Sequence, residues 1–335
     1  MKIVTLALAI LMALTTGTAA LAKSDFYRGK QLKIVVGSEP GGGFSVYSLL
    51  LSAYLGKNIP GNPTVSIEHR PGSGGVNAID YLANAAPKDG TVIAVAMPNF
   101  FVTPFVEPSA VKFNPGQFHF IGRMSDFGRV LVSWHATGVK TIDDLRAKET
   151  FAGASARRST TSIQPTLMNE ILGTKMKVIT GFMGSGPTAV ALERGEVQVT
   201  TIAYSTLVSL HPDWLREKRV NIIAGMDFTD VPGVTKIRDM IDDPRKKAMW
   251  DFVALGSEFG TSFLAAADVP EDRLRILRDA FDLTMRSDEM IAEAKKRALD
   301  ISPKSGKELD QLFAAAGSPT PDTIKQVARI MGVDN

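Results

Sequence analysis

Short apolar runs, each stopped by glycine or proline and followed by a stretch of helical periodicity, recur along the chain. Residues 32–37 (LKIVVG) read as a buried strand. The run halts at Pro40-Gly41-Gly42-Gly43. Residues 44–56 then show helical spacing, with Val46, Leu49, Leu50 and Ala53 on one face and a glycine at the end. Residues 64–68 (TVSIE) form a second expected strand, Pro71-Gly72-Ser73-Gly74-Gly75 a second break, and 76–86 a second helix. Lys88-Asp89-Gly90 turns the chain into a third strand at 91–96. Strand, glycine turn, helix, strand is the rhythm of a parallel α/β sheet.

The middle of the chain repeats it. Strands are expected at 130–133, 151–154, 176–179, 197–202 and 220–224, and helices at 141–147, 163–172 and 187–194. Thr141 and Asp144 have the spacing of a capping box, and Asp242-Asp243 sit among helix-start signals. These acids read as caps rather than as paired catalytic groups. The last part reads as helical, over 270–286, 288–298, 306–316 and 321–331.

The start of the chain differs. Lys2 is followed by a 12-residue apolar run from Ile3 to Leu14, then by small and polar residues ending Ala20-Leu21-Ala22. The run is short for a membrane span and fits the apolar centre of a secretory signal peptide, with cleavage expected after Ala22. A periplasmic location follows. The remaining length is enough for two domains.

Composition removes several functions. Lys plus Arg is 38 and Asp plus Glu is 35, a formal charge of only +3, so nucleic acid is not an expected partner. There is no cysteine, which excludes a disulfide scaffold, a thiolate nucleophile and a lipid-modified cysteine. The four histidines, His69, His119, His135 and His211, lack metal-ligand spacing and read as surface or cap residues. No nucleotide phosphate motif and no nucleophile elbow is present. No metal, cofactor or catalytic residue is expected.

What remains is a set of loops. Residues 40–45, 71–75, 157–162 and 184–187 each run from an expected strand into an expected helix and are rich in glycine or hydroxyl groups. A helix N-terminus carries unpaired N–H groups and partial positive charge. In open α/β sheets such loops gather where ligands bind. Four of them favour a pocket for a carboxylate or phosphate. In Arg157-Arg158, a guanidinium could hold a carboxylate bidentately, or both could be solvated loop residues.

Longer segments sharpen this reading. Residues 32–75 (LKIVVGSEPGGGFSVYSLLLSAYLGKNIPGNPTVSIEHRPGSGG) and 83–96 (ANAAPKDGTVIAVA) resemble the substrate-binding receptors of tripartite tricarboxylate transporters, the Bug-type periplasmic proteins. Those receptors carry a PGGG loop, a V-x-x-E-N-R-P-G-x-G-G segment and an A-A-P-x-D-G turn. Gly181-Phe182-Met183-Gly184-Ser185-Gly186-Pro187, the stretch from Arg194 to Val199, and Asp230-Val231-Pro232 continue the match to the family's Y-K-G-x-G-P, G-G-x-V-D-V and D-V-P patterns. The chain departs from them at Ser45 and Gln198, where Asp is usual.

The resemblance implies a two-lobed periplasmic-binding-protein-like α/β fold hinged between two sheet-and-helix domains. Lobe 1 would comprise 23–125 plus 255–335, and lobe 2 would comprise 126–254. It further implies a non-enzymatic receptor that captures a small organic carboxylate and delivers it to membrane permease subunits. Gly41, Gly42, Gly43, Phe44 and Ser45 would line one side of the cleft. Ser155, Arg157, Ser159, Thr160 and Thr161 would line the other, with Gly184, Ser185 and Gly186 nearby. Two other readings stay open at this point: a receptor for a membrane signalling partner and an exported hydrolase.

Overall fold

The computed structural model describes residues 26–126, 128–157, 159–182, 185–227 and 231–333. The expected signal peptide and its cleavage site lie outside the described residues. The chain opens with β1 (Gln31–Val36), α1 (Gly43–Leu55), β2 (Thr64–His69), α2 (Val76–Asn84), β3 (Val92–Ala96), the single turn α3 (Thr103–Val106) and β4 (Phe118–Arg123). A second run follows: β5 (Arg129–Trp134), α4 (Ile142–Ala147), β6 (Thr150–Ala154), α5 (Thr160–Leu172), β7 (Met176–Thr180), α6 (Ser185–Glu193), β8 (Val199–Ala203), α7 (Tyr204–Leu210), α8 (Pro212–Arg216) and β9 (Val220–Gly225). The chain returns through α9 (Pro244–Phe259), β10 (Ser262–Ala266), α10 (Glu271–Met285), α11 (Asp288–Lys296), β11 (Lys304–Ser305), α12 (Gly306–Ala316) and α13 (Pro321–Ile330).

These strands make two sheets, in the orders β11-β4-β10-β3-β1-β2 and β7-β6-β8-β5-β9. The expected parallel pairing holds for β1 with β2 and β3, and for β6 with β7 and β8. It fails at β10, antiparallel to β3 and β4, and at β5, antiparallel to β8 and β9. The reason is where the chain changes sheets. β5 is entered directly from β4 of the other sheet, and β10 from α9, which follows β9 of the other sheet. Each therefore starts at the edge where the βα units of its sheet end, and must run backwards.

Several elements lay outside the sequence reading: β4, α9 and β10, and the short α3, α7, α8 and β11. Helix α9 buries Met249, Trp250, Phe252, Val253, Ala254, Gly256, Ser257 and Phe259 around much of its circumference. It is wedged between the sheets, so its apolar positions do not form one stripe. β10 (SFLAA) follows it after only Gly260 and Thr261, just ahead of the segment read as helical from 270. The buried face of α1 also differs from expectation. Leu50 is buried as expected, but the inward positions also include Phe44, Tyr47, Ser48, Leu51 and Leu55, and Leu49 is 48% exposed. Ser48 is tolerated inside because its hydroxyl donates to the Phe44 carbonyl. The caps behave as read: Thr141 and Asp144 form a reciprocal box on α4, and Asp243 accepts from the Arg245 N–H on α9.

Each sheet is covered on both faces, as a parallel-rich sheet must be. Ile34 and Val36 of β1 join a core under α1, α10 and α11, while Val35 between them joins Phe100, Phe101, Phe120 and Phe259 on the opposite face. In the second sheet Val130 and Val132 pack with Trp134 and Trp214, and Leu131 packs with α5 and α9. The returning segment serves both sheets. β10, α10 and α12 attach to the first, whereas α13 buries Val327 and Ala328 in the core of the second.

The two crossovers run side by side. The Thr261 N–H donates to the Ser125 carbonyl at 2.8 Å, and the Met124 N–H to the Thr261 carbonyl at 3.0 Å. Residues 300–302 bind the same strip. The Ser302 N–H donates to the Met124 carbonyl at 2.9 Å, and the Asp126 N–H to Ser302 Oγ at 3.0 Å.

Candidate functional site

The C-terminal ends of the parallel strands put the predicted loops in two groups, one per sheet. On the first sheet, residues 37–42 after β1 and 70–75 after β2 lie in contact. A methyl group on Gly37 would sit 2.6 Å from Gly75 Cα, so neither position has room for a side chain. On the second sheet, residues 155–159 follow β6 and residues 181 onward follow β7. Their backbones are joined: the Gly181 N–H donates to the Ser155 carbonyl and the Phe182 N–H to the Ala154 carbonyl, both at 3.3 Å.

Tyr47 brings the first group close to the second sheet. It lies one turn into α1. Its hydroxyl donates to the Asp300 carbonyl at 2.9 Å and lies near Ser125 of the crossover and Ser205 at the start of α7. Burial pushes its phenol above the ordinary tyrosine range. The start of α1 is thereby held against the end of β8, on the same sheet edge as the end of β6.

On the first side, Gly41 and Gly43 are exposed and Gly42 is half-buried. Phe44 and Ser45 turn inward: Phe44 joins the core and Ser45 is fully buried. Of the five residues predicted here, the three glycines reach the surface. Helix α1 starts at N-cap Gly42 with no capping side chain and no acid in its first turn. Ser45 Oγ lies 3.4 Å from His69 Nε2, and His69 Nδ1 lies 2.8 Å from the Ser38 carbonyl oxygen. His69, expected at the surface or in a cap, is instead half-buried behind the loop. The reason is its place at the end of β2, beside β1. His211 does occupy a cap position, before α8, and stacks on Trp214 at 4.1 Å; burial lowers its pKa.

On the second side, three hydroxyls share a network. Thr161 Oγ1 accepts from the Ser155 N–H at 3.1 Å and lies 3.3 Å from Ser155 Oγ and 2.7 Å from Ser159 Oγ. Ser159 is the N-cap of α5, yet its hydroxyl donates back to the Ala156 carbonyl at 2.7 Å instead of capping the helix. Thr160 is buried. The first turn of α5, like that of α1, has no acid. Arg157 is exposed and sits in a groove of about 170 Å³ beside Ser162, Ile163, Thr166 and the end of α13 at Ile330, Met331 and Gly332. Its guanidinium lies beside Gly332, where an added methyl group would sit 3.0 Å from Nη2. Gly186 is exposed in the first turn of α6. Gly184 and Arg158 lie outside the described residues, as does the side chain of Ser185. Gln198 lies before β8, at the opposite end of the second sheet. Its Oε1 accepts from the Phe151 N–H at 2.8 Å, so this departure from the family pattern does not face the loops.

A charged pair lies beneath the hydroxyl network. Asp227, after β9, is buried and accepts from the Arg129 N–H at 3.0 Å and from Gln164 Nε2 at 2.8 Å. The Arg129 guanidinium is also fully desolvated, and Ser257 of α9 bonds the carboxylate. This group links β5, α5, β9 and α9 where the chain changes sheets. Among the described residues there is no cluster of three or more His, Asp or Glu side chains arranged to hold a metal, and no helix long and apolar enough to cross a membrane.

The profile of the tripartite tricarboxylate transporter family receptors (TctC) matches residues 55–327. The chain belongs to this receptor family. Solved structures carry the same fold. A TctC solute-binding protein from Polaromonas is 14% identical over 91% of this receptor and 99% of its own chain, with a TM-score of 0.64. Rpa4515 from R. palustris, solved with adipate, is 18% identical over 90% and 97%, at 0.65. MatC from Rhodopseudomonas palustris, solved with bound malate, is 17% identical over 90% and 99%, also at 0.65. No curated protein matches this receptor in sequence. The two-lobed fold read from its motifs is therefore the observed one, and its family is one of solute receptors.

Proposed function

We propose that this protein is a periplasmic solute receptor. It captures a small organic carboxylate between its two lobes and passes it to the membrane permease subunits of a tripartite tricarboxylate-type transporter. One observation carries the reading. Two helices, α1 and α5, start at the same cleft from opposite lobes, and both lack a capping side chain and a first-turn acid. Helices α2 and α7, which follow β2 and β8, also lack both, whereas α4, α12 and α13 each carry both. Uncapped helix starts hold unpaired N–H donors and partial positive charge, which together accept a carboxylate.

Gly41, Gly42 and Gly43 would bind through backbone N–H groups. Ser155, Ser159, Thr160 and Thr161 would supply hydroxyls or N–H groups from the second lobe, with Gly184, Ser185 and Gly186 adjacent and Arg157 adding charge at the rim. Phe44 and Ser45 support the first loop from behind. A ligand that touches both lobes only when they are closed favours the closed form by its differential contacts, and the side-by-side crossovers provide the hinge. No bond is made or broken. Receptor neighbours solved with adipate and with malate support the ligand class.

Thermal shift and calorimetry of residues 23–335, unfolded and refolded to strip bound ligand, test the reading. The panel holds dicarboxylates, tricarboxylates, aromatic acids and amino acids. A ligand at 100 times its Kd adds about 2.7 kcal/mol, a shift of several degrees. A response to one class of acid is expected. No response to any acid would remove carboxylate capture.

A further inference from the structure

His69 touches both ends of the first loop. A backbone carbonyl can only accept, so the ring nitrogen 2.8 Å from the Ser38 oxygen, Nδ1, carries the proton. In the neutral ring Nε2 then offers a lone pair, and the Ser45 hydroxyl 3.4 Å away donates to it. Ser38 and Ser45 bracket Pro40-Gly41-Gly42-Gly43, the stretch that leads into the uncapped start of α1. Three consecutive glycines lose much conformational freedom when ordered, and side chains of their own cannot hold them.

The ring is itself well anchored. The next residue, Arg70, donates its N–H to the Val36 carbonyl at 2.8 Å and lays its guanidinium 3.7 Å from the Tyr81 ring centre. On the other side, Glu68 pairs with both Lys33 and Arg70. The end of β2 is thus fixed to β1 on both sides of His69, and the imidazole projects from a rigid strand against a glycine loop.

We propose that His69 is a positioning residue for ligand capture: it staples the segment 38–45 so that the N–H groups at the start of α1 stay aimed at the cleft. It also consumes the proton of the buried Ser45 hydroxyl. Ser45 is then not a donor to a ligand, and what this loop offers at the start of α1 is the backbone N–H donors of its glycines, which suit an acceptor-only carboxylate end. The proposal rests on the carboxylate-receptor reading above.

The test uses the mature chain and three variants, His69→Ala, His69→Asn and Ser45→Ala. An asparagine amide can donate to the Ser38 carbonyl and accept from Ser45, so it keeps both roles in a shorter side chain. Imidazole ¹⁵N NMR of the unliganded wild type should show the Nδ1–H tautomer; the Nε2–H tautomer would overturn the bridge. Amide exchange over residues 41–46 should accelerate at least tenfold in His69→Ala, without a matching change in the rest of the first lobe. It should return to within threefold of wild type in His69→Asn. Affinity for malate or adipate, whichever the wild type binds, should fall at least tenfold in His69→Ala, less in Ser45→Ala, and recover in His69→Asn. Unchanged exchange in His69→Ala, or equal loss of protection throughout the lobe, would overturn the proposal. If the wild type binds no acid, the carboxylate reading falls, and the tautomer and exchange results still decide whether His69 holds the loop.

Discussion

A methyl group on Gly260 would lie 2.0 Å from the Ser125 carbonyl oxygen, and Gly260 adopts φ 46° and ψ −130°, a conformation open to glycine alone. The two crossovers can pair only because this residue has no side chain. Gly260→Ala is expected to destabilise the protein by at least about 2 kcal/mol, from backbone strain and the forced separation of the crossovers. Urea unfolding measures it; a midpoint within error of wild type would show that the hinge does not depend on this contact.

The buried Asp227 gives a second expectation. Removing its carboxylate leaves the desolvated Arg129 without its counter-charge, a class of change that costs about 3–5 kcal/mol. Asp227→Ala should be poorly folded or strongly destabilised. Asp227→Asn should cost less. The Gln164 side chain has a buried Oε1 with no hydrogen-bond partner, and turning its amide over would present that oxygen to the new Asn amide. Equal losses in the two variants, read by chemical denaturation, would refute this account.

Asp300 predicts a pH dependence. Partial burial first, and the neighbouring Asp126 charge second, push its carboxyl above the ordinary range. The folded chain therefore keeps this proton to higher pH than the unfolded chain. Between the ordinary value near 3.9 and the raised one, the folded state binds more protons, so the contribution of Asp300 to stability falls as pH rises through that window. Asp300→Asn should raise the unfolding midpoint at pH 7 and leave it unchanged at pH 3. A gain of the same size at both values would assign the effect to something other than ionisation.

The second lobe offers a direct comparison. Thr161 Oγ1 joins Ser155 to Ser159, whereas the Arg157 guanidinium lines a groove with Gly332 at the end of α13. In calorimetry with a bound carboxylate, Thr161→Val is expected to weaken affinity at least tenfold and Arg157→Ala by less than threefold. A tenfold or greater loss in Arg157→Ala would mean that the guanidinium swings into the cleft to pair with the ligand, as its sequence position suggested.

How much of this was legible beforehand follows from the range of each interaction. Strand, glycine loop and helix are written in neighbouring residues. β1, α1, β2, α2 and β3 could therefore be placed to within about two residues, and so could the caps at Thr141 and Asp243. The glycine loops and the family motifs are local as well, and they led to the receptor fold. Contacts between distant segments were not legible. The reversed β5 and β10 depend on where the chain changes sheets. The inward turn of Ser45 and the bridge from His69 to Ser38 join positions 24 and 31 residues apart. The meeting of Tyr47 with Asp300 spans 253 residues. The sequence alone determined most of the elements, the anion-ready loops and the family, because propensity and turn chemistry act over a few residues. Only the tertiary structure decided which loop residues face the cleft and which hold it from behind, because burial and hydrogen bonding between remote segments exist only once both sheets are packed.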